Sequence, residues 1–333
     1  MPASNLRSYR LHLESQRDDD SIYHLTPQVW HAAAARHGNL TACLQVSYGW
    51  DEEGLERSLS DADFLVGTRF SKHVLNAAGG LRWIHTTGAG VDGLAPLAEL
   101  RNDLLLTNSS GIHSDKAQEF VLMALLMLQS DMPRMIAAQS ACRWDPHFTA
   151  TLAAKTALVI GYGDLGQAAA AAARSQSMRI VAVSRSGRSQ PGVADVVLPV
   201  ARLDEVLPAA NFVVLTTPLT QETHNLLDAT RMALLPRGAG IVNIGRAGLL
   251  DHAALFAGLR SGALGGAVLD VVDPEPLPRT AEHWRVPNLI VTPHISCDAP
   301  DYADRVLDLW FDNFGRFVRG ETLRNLVDRR LGY

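Results

Sequence analysis

Val159–Ser175 reads VIGYGDLGQAAAAAARS. Three glycines, Gly161, Gly163 and Gly166, stand in G-x-G-x-x-G spacing between an apolar β-branched run and an alanine-rich one. That order predicts a strand that ends in a tight turn and passes straight into a helix. Each glycine has its own reason to lack a side chain. The first permits the turn, the second lets backbone approach a pyrophosphate, and the third allows close packing of helix on strand. Asp164 and Leu165 sit at the helix N-terminus, whose unpaired N–H groups face an anion. A turn of this kind works only inside a βαβ unit, so the stretch sets the fold class for what surrounds it.

Working outward, the chain from Thr156 carries six β-branched runs suited to strands buried on both faces: ALVIG, RIVAVS, FVVLTT, AGIVNIG, AVLDVV and LIVTPHI. With helical crossovers they make a doubly wound parallel sheet. Before it, RLHLE, LTACLQV, ADFLVG, LRWIHTT and LLLTNS read as five shorter strands, with helices at TPQVWHAAAARHG and SKHVLNAAGG. A long helix is expected from about Ser114 to Gln139, bent at Pro133. A final helix, PDYADRVLDLWFDNFGRFVRG, has Val306, Leu309, Trp310, Phe314 and Phe317 on one stripe. The expected class is α/β with two Rossmann-like domains. A dinucleotide-binding domain over residues 113–297 is inserted in a flavodoxin-like substrate domain formed by residues 1–112, to which 298–333 return.

The 333 residues are 47% hydrophobic and carry a net charge of −5, which leaves no electrostatic footprint for nucleic acid or anionic lipid. The longest apolar run, FVLMALLML over Phe120–Leu128, is too short to span a bilayer, and the N-terminus lacks an apolar signal core. Cys43, Cys142 and Cys297 lie far apart, so no disulfide framework and no zinc site is expected, and a cytoplasmic setting fits. A small-molecule partner is favoured.

A dinucleotide site usually places an acid about 20 residues beyond the glycines, at the end of the next strand, to hold the adenosine ribose. Here IVAVSRSGRS puts Ser184 at that place, followed by Arg185, Ser186 and Arg188. Serine removes the charge that would repel a 2′-phosphate, and a guanidinium can pair with one. NADP is therefore the preferred cofactor, with NAD possible.

Three polar groups end later strands: Arg246 in IVNIGRAGLLD, Glu275 in LDVVDPEPLP and His294 in IVTPHIS, spaced by 29 and then 19 residues. Carboxyl ends of parallel strands are where such sheets place ligands. With TPLTQETHNLLD and GAGVDGL, these blocks resemble the D-isomer-specific 2-hydroxyacid dehydrogenases from about Leu81 to Cys297, and most of all the NADPH-dependent glyoxylate/hydroxypyruvate reductases among them. Ala247 stands where that family usually has glycine.

The resemblance implies reduction of a 2-oxo acid to a D-2-hydroxy acid. Arg246 would hold the substrate carboxylate through its fork of donors. His294 would exchange a proton with the carbonyl oxygen, and Glu275 would fix the imidazole tautomer. The backbone of Gly88, Ala89 and Gly90 would form a second carboxylate clamp. Thr217, Pro218, Thr223, Ile244 and Gly245 would line the cofactor, and Asp270 would approach the nicotinamide carboxamide. Relatives pair through the long helix, which implies a homodimer with FVLMALLML as its surface. A dinucleotide-sensing corepressor is the rival from another class, disfavoured because no interaction tail is evident. In some relatives an aromatic reaches the substrate pocket from a loop or a partner subunit, which Trp50 or Trp144 could do, but core packing is the expected role of each, and ordinary polar contacts that of His85, His113 and His147.

Overall fold

The structure is a computed structural model that describes residues 8–187 and 192–332, so Arg188 lies outside the described residues. It divides into two compact units, one of Met1–Ile112 with Ala299–Tyr333 and one of His113–Asp298.

The first unit begins with β1 (Tyr9–Ser15), α1 (Pro27–Arg36), α2 (Gly38–Thr41), β2 (Leu44–Trp50), α3 (Leu55–Leu59), β3 (Phe64–Gly67), α4 (Lys72–Ala77), β4 (Trp83–Thr86) and β5 (Leu105–Thr107). All pairings are parallel and the order is β2-β1-β3-β4-β5, the flavodoxin-like arrangement. The second strand starts later than LTACLQV suggests. Leu40 and Thr41 belong to α2, and β2 runs on through Ser47, Tyr48, Gly49 and Trp50.

The second unit comprises α5 (Ser114–Gln129), α6 (Met132–Ser140), β6 (Thr156–Ile160), α7 (Asp164–Ser175), β7 (Arg179–Ser184), β8 (Val196–Pro199), α8 (Leu203–Val206), β9 (Phe212–Leu215), α9 (Ala229–Ala233), β10 (Ala239–Asn243), α10 (His252–Ser261), β11 (Leu264–Leu269) and β12 (Leu289–Val291). Its seven parallel strands run β12-β11-β10-β9-β6-β7-β8, one more than the six apolar runs counted in the sequence. The extra one, β8, is a short edge strand ending in proline, where the missing ladder donor costs least.

The expected long helix is two helices bent by 66°. The break falls before Pro133, at Asp131, whose φ of 52° is left-handed, and the proline then sits in the first turn of α6. No single helix among the described residues is long and apolar enough to cross a membrane. FVLMALLML is also not the free surface it suggests. Phe120, Val121, Ala124, Leu125 and Leu128 are buried in one cluster with the alanines of α7, and only Met123 and Leu126 of the run are exposed. Exposed apolar groups continue instead through Met132, Met135 and Ile136 to Trp144 and Phe148, which are 92% and 93% exposed. Core packing of Trp144 is thereby overturned.

At Ala299 the chain re-enters the first unit, where α11 (Tyr302–Arg319) packs Val306, Leu307, Trp310, Phe311 and Phe314 against Leu11, Leu13, Phe64 and Trp83. Trp310 stacks on Trp83 with rings 5.5 Å apart. Trp50 is half-buried, edge-on to the His24 ring.

Candidate active site

In the second unit the order in which strands are added reverses between β6 and β9, and such a switch point opens a crevice at the carboxyl edge. The glycine turn lies there. Gly161 has φ +98° and is walled by Thr216 and Thr217, so that a Cβ would stand 2.8 Å from Thr217 Cγ2. At Gly166 a Cβ would meet the Gly161 carbonyl oxygen at 1.9 Å, which only glycine avoids. Gly163, the cap of α7, is exposed with nothing within 4 Å of its absent side chain, the open approach that a pyrophosphate requires. Thr217 Oγ1 is buried without a hydrogen-bond partner, an orphan that a bound ligand would satisfy. The cradle therefore fits a dinucleotide.

β7 ends on Ser184, whose Oγ accepts the Gly187 N–H at 3.1 Å; Arg185 and Ser186 are exposed. The Thr223 hydroxyl is engaged within its own loop, donating to the Pro218 carbonyl at 2.8 Å and accepting the Thr220 N–H at 2.7 Å. It caps no helix.

Arg246, Glu275 and His294 follow β10, β11 and β12, three adjacent strands. Strand spacing of about 4.8 Å brings their backbones into one neighbourhood. Glu275 and His294 touch: Glu275 Oε2 lies 2.8 Å from His294 Nδ1, and Glu275 Oε1 accepts the Val272 N–H at 3.0 Å. The bond at Nδ1 leaves Nε2 for a ligand. Both side chains are partly open to solvent.

The groups that hold this trio are mostly ones whose contacts the sequence reading did not foresee. Asn243 is fully buried; its Oδ1 accepts the Gly245 N–H at 3.0 Å and its Nδ2 donates to the Arg246 carbonyl at 2.9 Å, which fixes the arginine turn. His252 Nε2 lies 3.1 Å from the Ala247 carbonyl, and its Nδ1 lies 3.1 Å from His283 Nε2. Burial, with His252 alongside, holds the His283 imidazole below its ordinary range. Gly245 and Gly248 are both tight positions of this turn, since a Cβ would stand 2.9 Å from the Thr217 carbonyl at the first and 2.9 Å from the Leu219 side chain at the second, whereas Ala247 is buried with its own methyl group accommodated. Asp270 is fully buried and accepts the Thr292 hydroxyl at 2.6 Å and the N–H groups of Ile295 and Ser296 at 3.0 and 2.8 Å. It thus orders the loop on which His294 takes its left-handed φ of 56°. Asn243 was legible as the first letter of its motif, and Asp270 and Ala247 through the family resemblance; His252, His283 and Gly248 carry no local signal.

The Thr87–Gly90 loop belongs to the first unit and follows β4. Gly88 and Ala89 are half-buried and Gly90 is exposed. His85 and His113 are buried, and His147 pairs with Asp131 at 2.6 Å. No cluster of three metal-ligating side chains occurs among the described residues.

Residues 122–296 match the family model described as D-isomer specific 2-hydroxyacid dehydrogenase, NAD binding domain. A D-isomer specific 2-hydroxyacid dehydrogenase from Xanthobacter autotrophicus Py2, solved in complex with NADPH and MES, is 31% identical with a TM-score of 0.84, over 98% of this chain and 100% of that one. An NADPH-dependent glyoxylate/hydroxypyruvate reductase from Sinorhizobium meliloti, solved with NADP and sulfate, is 27% identical with a TM-score of 0.81, over 97% and 100% of the two chains. D-3-phosphoglycerate dehydrogenase of Methanocaldococcus jannaschii is 28% identical over 86% of this chain, which spans about half of that relative, 55% of its length.

Proposed function

We propose, from the premise that the chain belongs to the D-isomer specific 2-hydroxyacid dehydrogenase family, that it reduces a small unphosphorylated 2-oxo acid to the D-2-hydroxy acid. NADPH is the preferred cofactor. The observation that carries this reading is the Glu275–His294 contact at 2.8 Å on strand ends beside Arg246.

A bound nicotinamide dinucleotide supplies the hydride. Glu275 accepts the Nδ1–H of His294, so the protonated imidazole presents its Nε2–H to the substrate carbonyl oxygen. His294 Nε2 would give that proton to the carbonyl oxygen on reduction and take it back in the reverse direction. Arg246 pairs with the substrate carboxylate through two parallel N–H groups. The amides of Gly88, Ala89 and Gly90 are a second set of donors suited to a substrate carboxylate. In this assignment residues 113–297 are the cofactor domain and the remainder the substrate domain.

NADPH is supported by Ser184 and Arg185 at the ribose position and by the NADPH and NADP held by the two solved relatives. The unphosphorylated substrate is supported by charge on the first unit. Its sheet order changes direction between β1 and β3, and the loops at that edge carry Asp18, Asp19, Asp20, Asp51, Glu52 and Glu53 against Arg17, Arg69 and Lys72. Arg69 already bridges Asp18 and Asp19 at 2.9 and 2.5 Å, and Arg17 bridges Asp51 and Glu53 at 2.6 and 2.7 Å. A phosphate would meet net negative charge there. Glyoxylate and hydroxypyruvate, which the Sinorhizobium relative is named for, are the model substrates.

Pairing of two copies through the apolar groups of α5, α6 and the Trp144–Phe148 segment is part of the proposal, and a concentration-independent monomer in sedimentation would count against it. The reading as a whole is tested by a panel of 2-oxo acids assayed with NADPH and NADH. Oxidation of NADPH by glyoxylate or hydroxypyruvate is expected. Failure of every oxo acid with both cofactors overturns the reading.

A further inference from the structure

Four successive carbonyls around the Gly88 loop are turned inward and held. The Thr86 carbonyl accepts Ser109 Oγ at 2.9 Å, the Thr87 carbonyl accepts the Tyr302 hydroxyl at 3.0 Å, and the Ala89 carbonyl accepts Asn108 Nδ2 at 2.7 Å. The Gly88 carbonyl takes two donors, the Ser109 N–H at 3.1 Å and Thr86 Oγ1 at 3.0 Å. Ser109, Tyr302, Asn108 and Thr86 are all buried. A trans peptide is planar, with its C=O and the following N–H pointing opposite ways. Fixing the carbonyls of residues 87, 88 and 89 inward therefore aims the amides of 88, 89 and 90 outward. Those three N–H groups find no acceptor among the described residues. Consecutive amides left without an acceptor on one loop are donors available to an anion.

The donors are themselves braced. Trp83 Nε1 donates to Thr107 Oγ1 at 2.8 Å, Thr107 Oγ1 lies 2.8 Å from His85 Nδ1, and His85 Nε2 lies 3.1 Å from Ser109 Oγ. Burial pushes His85 down to about 3, so its ring is neutral, accepting from Thr107 at Nδ1 and donating to Ser109 from Nε2. Ser109 can then donate only forward, to the Thr86 carbonyl. The chain of hydrogen bonds has one direction and ends on the loop.

We propose that Tyr302, Asn108 and Ser109 are positioning residues for substrate: they pin the carbonyls of this loop so that its amides converge on the carboxylate of the 2-oxo acid. The inference rests on the reading above that this loop receives the carboxylate. It also gives the returning C-terminal segment a function, since Tyr302 opens α11 and reaches Thr87 across 215 residues of sequence.

The test uses the full-length protein and two substitutions, Tyr302→Phe, which removes one hydroxyl and keeps the ring, and Asn108→Asp, which puts a carboxylate oxygen against the Ala89 carbonyl. Glyoxylate and NADPH give steady-state constants, and oxamate titrated against the NADPH complex reports carboxylate binding without turnover. Both the KM for glyoxylate and the Kd for oxamate are expected to rise about three- to tenfold in Tyr302→Phe, the worth of one net hydrogen bond, and further in Asn108→Asp. The kcat and the KM for NADPH are expected to stay within about twofold, a split that a general loss of structure would not give. Unchanged glyoxylate and oxamate constants in both variants, or kcat and NADPH constants that move in step with them, overturn the inference alone. A wild-type protein that neither binds oxamate nor reduces glyoxylate overturns the underlying reading and the inference with it.

Discussion

At the strand ends of the His113–Asp298 unit the polar equipment consists of side chains: an arginine after β10, a glutamate after β11 and a histidine after β12. After β4 of the other unit it consists of main-chain amides, at Gly88, Ala89 and Gly90, whose loop carbonyls are held by donors from two separate segments, Asn108–Ser109 and Tyr302. Side chains supply a proton and a fixed positive charge, which a peptide group cannot. Amides supply short, directional contacts that carry no net charge and need no rotamer to be frozen. On the proposed reading one unit reacts and the other holds, and substitutions should separate the two roles.

The sharpest way to break that division is His294→Ala. Loss of a positioned proton donor is expected to lower kcat about 10²- to 10⁴-fold, while NADPH affinity, read by fluorescence titration, changes less than about twofold. An unchanged kcat would remove the histidine from the chemistry and leave the second unit as a holder too.

A second substitution separates cofactor choice from catalysis within the same unit. Ser184→Asp with Arg185→Ala places a carboxylate where the 2′-phosphate is expected, and like charges 4 Å apart repel by about 4 kcal/mol at an effective dielectric near 20. Screening at an exposed strand end leaves part of that, so the KM for NADPH is expected to rise about 10- to 100-fold and that for NADH to change little. A wild-type enzyme that already prefers NADH would falsify the assignment.

A smaller effect tests the holding unit. Asp18→Asn with Asp19→Asn frees Arg69 from its two partners and lowers the negative charge of the β1–β3 edge. The ratio of kcat/KM for 3-phosphohydroxypyruvate to that for hydroxypyruvate should rise about tenfold, the scale of one exposed charge interaction gained and one repulsion lost. A wild-type enzyme that already favours the phosphorylated acid would end the claim that this edge excludes it.

What could be read in the sequence follows the same line. Gly161, Gly163 and Gly166 announced the dinucleotide turn because glycine is the only residue that tolerates φ +98° at the first and a 1.9 Å approach at the third. Arg246, Glu275 and His294 were visible because their chemistry is in the side chain and their spacing follows the strand repeat. Asp270 was visible only by resemblance, and its three bonds to the His294 loop could not be foreseen, because a buried aspartate declares no partner in sequence. Tyr302, Asn108 and His85 were silent for a related reason: each aims a main-chain group, and main-chain groups are the same at every position. Trp144 misled because ring size alone predicts burial, while its side chain is 92% exposed although its neighbour Asp145 is tied to Arg134.

The smallest effect, and the most local, is read at the cysteines. Cys43 is buried in the first unit, where burial raises its thiol, and Cys297 follows the His294 loop of the second, where burial and then the Asp270 and Asp298 carboxylates outweigh Ser296 and Arg246 and push it up to about 11. Cys142 is exposed. At pH 8 a thiol titrating near 11 is about one part in a thousand thiolate, and the thiolate is the form that alkylates. Iodoacetamide at pH 8 should therefore label Cys142 within minutes, as read by mass spectrometry of the intact and digested protein, and leave Cys43 and Cys297 almost untouched; labelling of Cys297 should climb as the pH is raised toward 11. Asp270→Asn then sharpens the comparison between the units. It lowers the negative charge beside Cys297 and weakens the bonds that close its loop, so Cys297 should label several-fold faster while Cys43, in the other unit, does not change. Equal acceleration at both cysteines would mean that the variant loosens the whole chain, and that Asp270 does not act specifically on the loop that carries His294.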